Sequence, residues 1–434
     1  MSQLTADSRV TISNQVVDDY AAWRWYMLPL VFAVAIDLLT PQLVDWHLVP
    51  KAVRWLGDAA IMAMIIIAIM RMLFLDRIPK VFLIVLGVTI LGFAVALFEG
   101  QSVGATAYGL RRLFQYPLIG LYVYMMPQWP PWSAKWLLRI CLYVLGFEAF
   151  FQVLQFASGQ QPSDNLAGSF GPHGVGPLIM FTLLVVSFGL GKWLADGEWR
   201  YLVLTLVFGV ISSSLGQMKL FPIAVLILAG LAFLIQLIKG GQIRKLLIIA
   251  VLLAIGVLGY VVLYNTLVAG INEDEFQHFL SLEVLNDYFG GTRDTLDGFK
   301  LSRNSEPVYV WNNNLKSTSS FLFGRGIGSR AQSETLGIAG TWYDTSFYTA
   351  GPGRSLPVLL QETGVVGLLT FTLFCFAAIM ALFKNARTNG TTDLAAVQYG
   401  LILYTVYWPL WLWYLPVWLQ AVPMMLYWIS LGFS

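Results

Sequence analysis

Charge is what this chain has least of: Asp, Glu, Lys and Arg make up 12% of its 434 residues. Soluble domains carry about 25%, so composition excludes an ordinary globular cytoplasmic enzyme. Cysteine is nearly absent. Cys141 and Cys375 both lie inside apolar stretches, which argues against a structural disulfide or a cysteine metal site. The polar amino-terminal 25 residues or so lack the basic, apolar, small-residue order of a cleavable signal peptide, so the first apolar segment is expected to remain as an anchor. Neither a fixed-period repeat nor inverted halves with paired Gly/Pro breaks is visible, which counts against a secondary transporter. A net charge of +2 says nothing about partners.

What is present is apolar sequence, 57% of the chain at a mean hydropathy of +0.69. Runs such as 59–70 (AAIMAMIIIAIM) and 246–264 (LLIIAVLLAIGVLGYVVLY) are too continuous for soluble core helices. About 20 such residues, rising about 1.5 Å each, cross the hydrocarbon layer of a bilayer. The pattern predicts an all-α, polytopic integral membrane protein, a single membrane domain over 1–434. About twelve transmembrane helices are expected, at 27–44, 58–75, 80–98, 107–126, 136–157, 174–194, 200–216, 219–238, 245–267, 358–383, 394–414 and 416–433. Between the ninth and tenth, the polar stretch 268–356 makes one large extracytoplasmic loop.

Orientation follows from the bases in the short links. Even-numbered links hold Arg71, Arg77 and Lys80; Lys135 and Arg139; Lys192 and Arg200; Lys239, Arg244 and Lys245; Lys384 and Arg387. Odd-numbered links hold only Lys51, Arg54 and Lys219. The amino terminus is therefore expected in the cytoplasm and the large loop on the periplasmic or extracellular side. Trp23, Trp25, Trp129, Trp132, Trp136, Trp193 and Trp199 gather at span edges, as an interfacial belt requires.

Charges at membrane depth are costly and mark candidate function. Arg111 and Arg112 open the fourth span in 107–120 (AYGLRRLFQYPLIG). They read either as a snorkelling pair or as a site for an anion on the outer side. Lys219 ends 211–219 (ISSSLGQMK), also on the outer side, after small hydroxyl residues that let helices approach. Asp37, Asp58 and Glu148 are the acidic counterparts; a structural pairing or a proton-carrying role fits Asp37 and Glu148. The Gly/Pro-rich 163–178 (SDNLAGSFGPHGVGPL) carries His173 in a turn able to fold back and expose amides.

In the large loop, 272–300 carries apolar residues at helical spacing behind an acidic start, predicting one or two helices on the membrane surface. Arg303, Trp311 and Lys316 follow, then 322–330 (LFGRGIGSR). That glycine turn lacks a preceding strand and the Walker lysine, so it is no nucleotide motif. Its amides, beside Arg325 and Arg330, suit a phosphate. Glu334, Asp344, Arg354 and Glu362 alternate with Trp342, Tyr343, Phe347 and Tyr348, a composition suited to sugar stacking and hydroxyl hydrogen bonds. The outer-face bases Arg111, Arg112, Lys219, Arg303, Arg325, Arg330 and Arg354 fit a lipid-linked diphosphate or an anionic headgroup.

Together these features resemble the O-antigen ligase and O-antigen polymerase superfamily of bacterial membrane glycosyltransferases. The 168–176 segment (GSFGPHGVG) is similar to its G-T-F-G loop, and 212–219 (SSSLGQMK) to its small-residue run ending in a base. Arg303, Trp311 and 322–329 (LFGRGIGS) resemble its Arg…Trp…L-G-x-G loop signature, and 359–369 (LLQETGVVGLL) its return into the membrane. The resemblance implies glycan transfer from undecaprenyl diphosphate to a sugar hydroxyl, outside the bacterial inner membrane. It implies diphosphate contacts from Lys219 and Arg303, joined on grounds of charge and position by Arg111, Arg112, Arg325 and Arg354. These cations would stabilise the departing diphosphate without a metal or cofactor. One direct displacement makes the transfer inverting.

Gly353 and Arg354 stand where ligases carry a His-Asn pair, and no histidine occurs between 279 and 434. The polymerase reading therefore leads: repeat units pass to a growing lipid-linked chain, with a flippase and a chain-length regulator as possible partners. Transfer of finished glycan to a lipid or protein acceptor is the alternative, and a lipid-linked sugar flippase the second. Glu362, Glu334, Asp344 and His173 stay open as the base that takes the hydroxyl proton.

Overall fold

Without water to bond it, backbone in a bilayer must satisfy itself, and a helix does so within one segment. In the computed structural model the apolar segments are largely helical. They form α1 (Leu4–Asp45), α2 (Arg54–Phe74), α3 (Lys80–Phe98), α4 (Val103–Tyr124), α5 (Ser133–Ala157), α6 (Val175–Asp196), α7 (Trp199–Leu215), α8 (Phe221–Ile238), α9 (Ile243–Val268), α10 (Ser355–Asn389), α11 (Asp393–Val406) and α12 (Ala421–Phe433). The structure describes residues 4–434 except 75–79, 127–128, 131, 241–242, 269–275, 285–292, 296–297, 301–303, 334–336 and 343–353. For 4–24, 80–82, 85, 243–246, 268, 293–295 and 298–300 it describes backbone only. Among the described residues, seven helical stretches are long and apolar enough to cross a membrane: Trp25–Asp45, Lys51–Phe74, Ser133–Ala157, Val175–Asp196, Phe221–Ile238, Leu247–Leu267 and Ser355–Asn389. The protein is all-α and membrane-embedded.

Three expected elements differ. The 394–414 helix is cut, because α11 stops at Val406 and Trp408–Tyr414 forms a separate helix with Pro409 in its first turn. Proline lacks the N–H that would continue the helix. The 416–433 segment opens as a 3-10 turn, Val417–Leu419, before α12. Within 272–300, Phe276–Phe279 is helical, but Arg293–Thr295 pairs antiparallel with Gly298–Lys300. Of that stretch, 272–275, 285–292 and 296–297 lie outside the described residues.

α6 is the central helix, with 94% of its apolar window buried. It packs on α5, α7, α8, α11 and α12. At Gly191 a side chain would collide with the backbone of Ala396 and Gly400 on α11, the close approach that small residues permit between membrane helices. Trp25, Trp132, Trp136 and Trp199 are exposed as the interfacial belt requires, whereas Trp193 is buried. Cys141 and Cys375 are free.

Bases mark one end of the bundle. Arg71 donates to Met125 O and, at 2.6 Å, to Tyr26 Oη; Lys192 pairs with Asp393 at 2.6 Å; Lys239 donates to Leu194 O. The opposite end gathers the 158–174 and 216–220 links and the turns around 415–420.

Candidate functional site

A polar face of α5 builds this opposite end. Glu148, Gln152 and Gln155, spaced to share one side of the helix, all point at the loop before α6. Glu148 accepts from Ser169 N at 2.8 Å and from the Ser169 hydroxyl. Gln152 Nε2 donates to Leu166 O at 2.7 Å and to Ser212 O at 3.2 Å. Gln155 Oε1 accepts from Gly168 N at 3.1 Å. Buried Glu148 thus holds a loop in place, with serine as its partner in place of a base. The pinned loop delivers His173 with φ at 61°, and the turn after buried Ser212–Ser214 delivers Gln217 with φ at 51°. Non-glycine residues rarely adopt this region, and such backbone strain concentrates at functional sites.

His173 and Gln217 line the same cavity, of about 590 Å³, together with Asp164, Asn165, Lys219 and Tyr414. The Lys219 ammonium sits 5.6 Å from the centre of the Phe279 ring and has no carboxylate partner among the described residues. Two further cavities share His173. One, of about 590 Å³, lies towards Asp45, Gln160 and Gln161. The other, of about 500 Å³, lies towards Asp37, Arg54 and Gln420. Their volumes fall in the range of ligand sites, about 300–1,000 Å³. Leu415 lines two of the three and accepts from Ser355 N at 3.2 Å. The cavity walls are thereby tied to the start of α10, next to Arg354.

The arginines have a different setting. Arg112, 6% exposed, meets fully buried Glu362 at 2.6 Å. The same Glu362 oxygen accepts from Arg330 N at 3.3 Å. Buried Glu306 bridges Arg330 at 2.7 Å and Arg354 at 3.1 Å. Arg325 pairs with Glu99 at 3.3 Å and lies 4.2 Å over the Trp342 ring. Arg111 is exposed and pairs with Asp58. The 322–331 turn, read from sequence as a phosphate cradle, has most of its amides committed inside the protein. Arg325 N donates to Gln361 O at 2.7 Å, Ile327 N to Gly92 O at 3.2 Å and Ser329 N to Gly326 O at 3.1 Å. Ile327, fully buried, wedges between α3 and α4. The turn fills a break in α10, where Gly364 has φ 63° and ψ −164°.

No family model matches this chain, and no curated protein matches it.

Of the residues picked from sequence, His173 and Lys219 share a cavity, while Arg112, Arg325, Arg330, Arg354 and Glu362 form ion-paired joints between elements. Arg111 stands apart on the α2–α4 surface. Arg303, Glu334 and Asp344 lie outside the described residues, although Asn304, next to Arg303, accepts from Trp413 Nε1 at 3.1 Å. Sequence reasoning passed over Arg54, Gln217 and the carboxylates Glu99 and Glu306. Arg54 carries only a topology signal in the sequence. The carboxylates had no local signal, because their partners are remote in the chain.

Proposed function

We propose that the chain is a polysaccharide polymerase of the O-antigen polymerase type. It has about twelve spans, its amino terminus in the cytoplasm of a bacterium and its 268–356 loop outside the inner membrane. It transfers glycan repeat units from undecaprenyl diphosphate to a growing lipid-linked chain. The observation that carries this reading is Lys219, a cation without a carboxylate partner among the described residues, facing a cavity with the strained His173. An unpaired ammonium in a polar recess suits a diphosphate, and it is poised before the charge develops.

In the transfer, an acceptor hydroxyl attacks the anomeric carbon as the bond to the diphosphate oxygen breaks. The electron pair leaves with the polyprenyl diphosphate, whose negative charge Lys219 stabilises, and Arg303 joins it in this reading. The hydroxyl proton passes to His173. Of the two candidate bases among the described residues, His173 lines all three polar cavities, whereas Glu362 is sealed against Arg112.

Incubating purified protein with lipid-linked repeat units decides between readings. A ladder of extended chains is expected, and Lys219→Ala should remove it while leaving membrane insertion unchanged. A single acceptor-shifted band would instead identify a ligase. No covalent product, with lipid-linked sugar moved across a vesicle, would identify a flippase. A full ladder from Lys219→Ala would overturn the diphosphate assignment.

A further inference from the structure

The cavity on the Asp45 side of His173 differs in chemistry from the one holding Lys219. Among the described residues its lining has amides from Gln42, Gln155, Gln160, Gln161 and Asn165, one carboxylate from Asp45, and no lysine or arginine. Gln155 is a structural floor, because it bonds Gly168 N. The side chains of Gln160, Gln161, Asn165 and Asp45 are exposed and make no hydrogen bond within the described residues. An amide offers two donors and one acceptor site, and a carboxylate only accepts. A row of such groups matches hydroxyls, which donate and accept at once. It does not match an anion, which Asp45 repels, or a lipid tail, which would strip water from amides without replacing their bonds. About 590 Å³ is far more than bridging waters need, at about 30 Å³ each.

We propose that this cavity is a saccharide subsite that binds the hydroxyls of a neutral glycan beside the anion-binding cavity, with His173 at their junction. The placement rests on the transferase reading for its purpose, since it brings an acceptor hydroxyl and a diphosphate leaving group into neighbouring cavities that share His173. Its chemistry stands independently of that reading.

The test uses the full-length protein in detergent on an array of immobilised neutral oligosaccharides built from hexoses, deoxyhexoses and N-acetylhexosamines. Wild type should retain at least one of them. Gln160→Leu/Asn165→Leu should weaken that retention at least tenfold, and Lys219→Ala should leave it within twofold. Asp45→Leu, on α1 instead of the loop, should weaken the same oligosaccharide, which separates loss of the cavity from misfolding of one loop. Retention of none of the array, or equal retention by both cavity variants, overturns the subsite. Retention that maps to the cavity in a protein yielding no ladder would overturn the polymerase and leave the subsite standing. A ladder together with unchanged retention would do the reverse.

Discussion

His173 combines a reactive side chain with a backbone conformation that glycine would adopt more easily. A non-glycine residue in this region costs on the order of 1–3 kcal/mol, so His173→Gly should keep or raise the melting temperature. Chain extension should nevertheless fall at least tenfold if the imidazole takes the proton. Thermal unfolding and the ladder assay on one preparation check both halves; a variant as active as wild type rules the imidazole out. The turn itself was legible in the Gly/Pro-rich 168–176 segment. The positive φ at His173 was not, because it belongs to a loop that Glu148 and Gln155 hold from a distant helix, α5. Cations were equally easy to find and hard to interpret. Arg325 meets Glu99 across 226 residues and Arg354 meets Glu306 across 48, so sequence displays the charge without its neutralising partner.

At the scale of elements, α4 and α10 are joined by Arg112 and Glu362. Arg112 lies about 14 Å along α4 from Val103, at about 1.5 Å per residue. A carboxylate stripped of its partner in such a place is strongly disfavoured. Arg112→Ala should therefore destabilise the protein by about 3–5 kcal/mol, and Arg112→Met/Glu362→Leu should recover most of the loss. Equal unfolding midpoints for wild type and Arg112→Ala would contradict a buried pair.

The 322–331 turn makes a second joint. At Gly326, φ is 86° and an added Cβ would lie under 3.0 Å from the Ala96 backbone. Gly326→Val should cost about 2–4 kcal/mol and release the turn, read as faster hydrogen exchange in 324–331 and in α3. The glycines were visible in the sequence, but their purpose was ambiguous. Freedom of φ serves an anion cradle and a close helix contact equally well. The contact is what the structure contains. Helix existence was legible from hydropathy alone; the breaks at Tyr407 and Gly364 depend on tertiary packing as much as on local sequence.

For the molecule as a whole, polarity is divided between two ends. One is tied by Arg71, Lys192 and Lys239, and the other holds three cavities meeting at His173. Single cysteines in a background lacking Cys141 and Cys375 test the proposed orientation. Gln160→Cys and Lys219→Cys should react with an impermeant maleimide on intact cells. Lys135→Cys should react only after lysis. The reverse pattern would place the cavities in the cytoplasm and exclude transfer from an externally displayed lipid carrier.

The plug in the broken helix also constrains biogenesis. Ile327 seats against α3 and α4, and Gln101 reaches Arg325 across 224 residues. The third and fourth segments are synthesised long before the piece that completes their contact. Until about three quarters of the polypeptide has been made, that seam lacks its plug, and an insertase or chaperone that shields it would have a defined place to act.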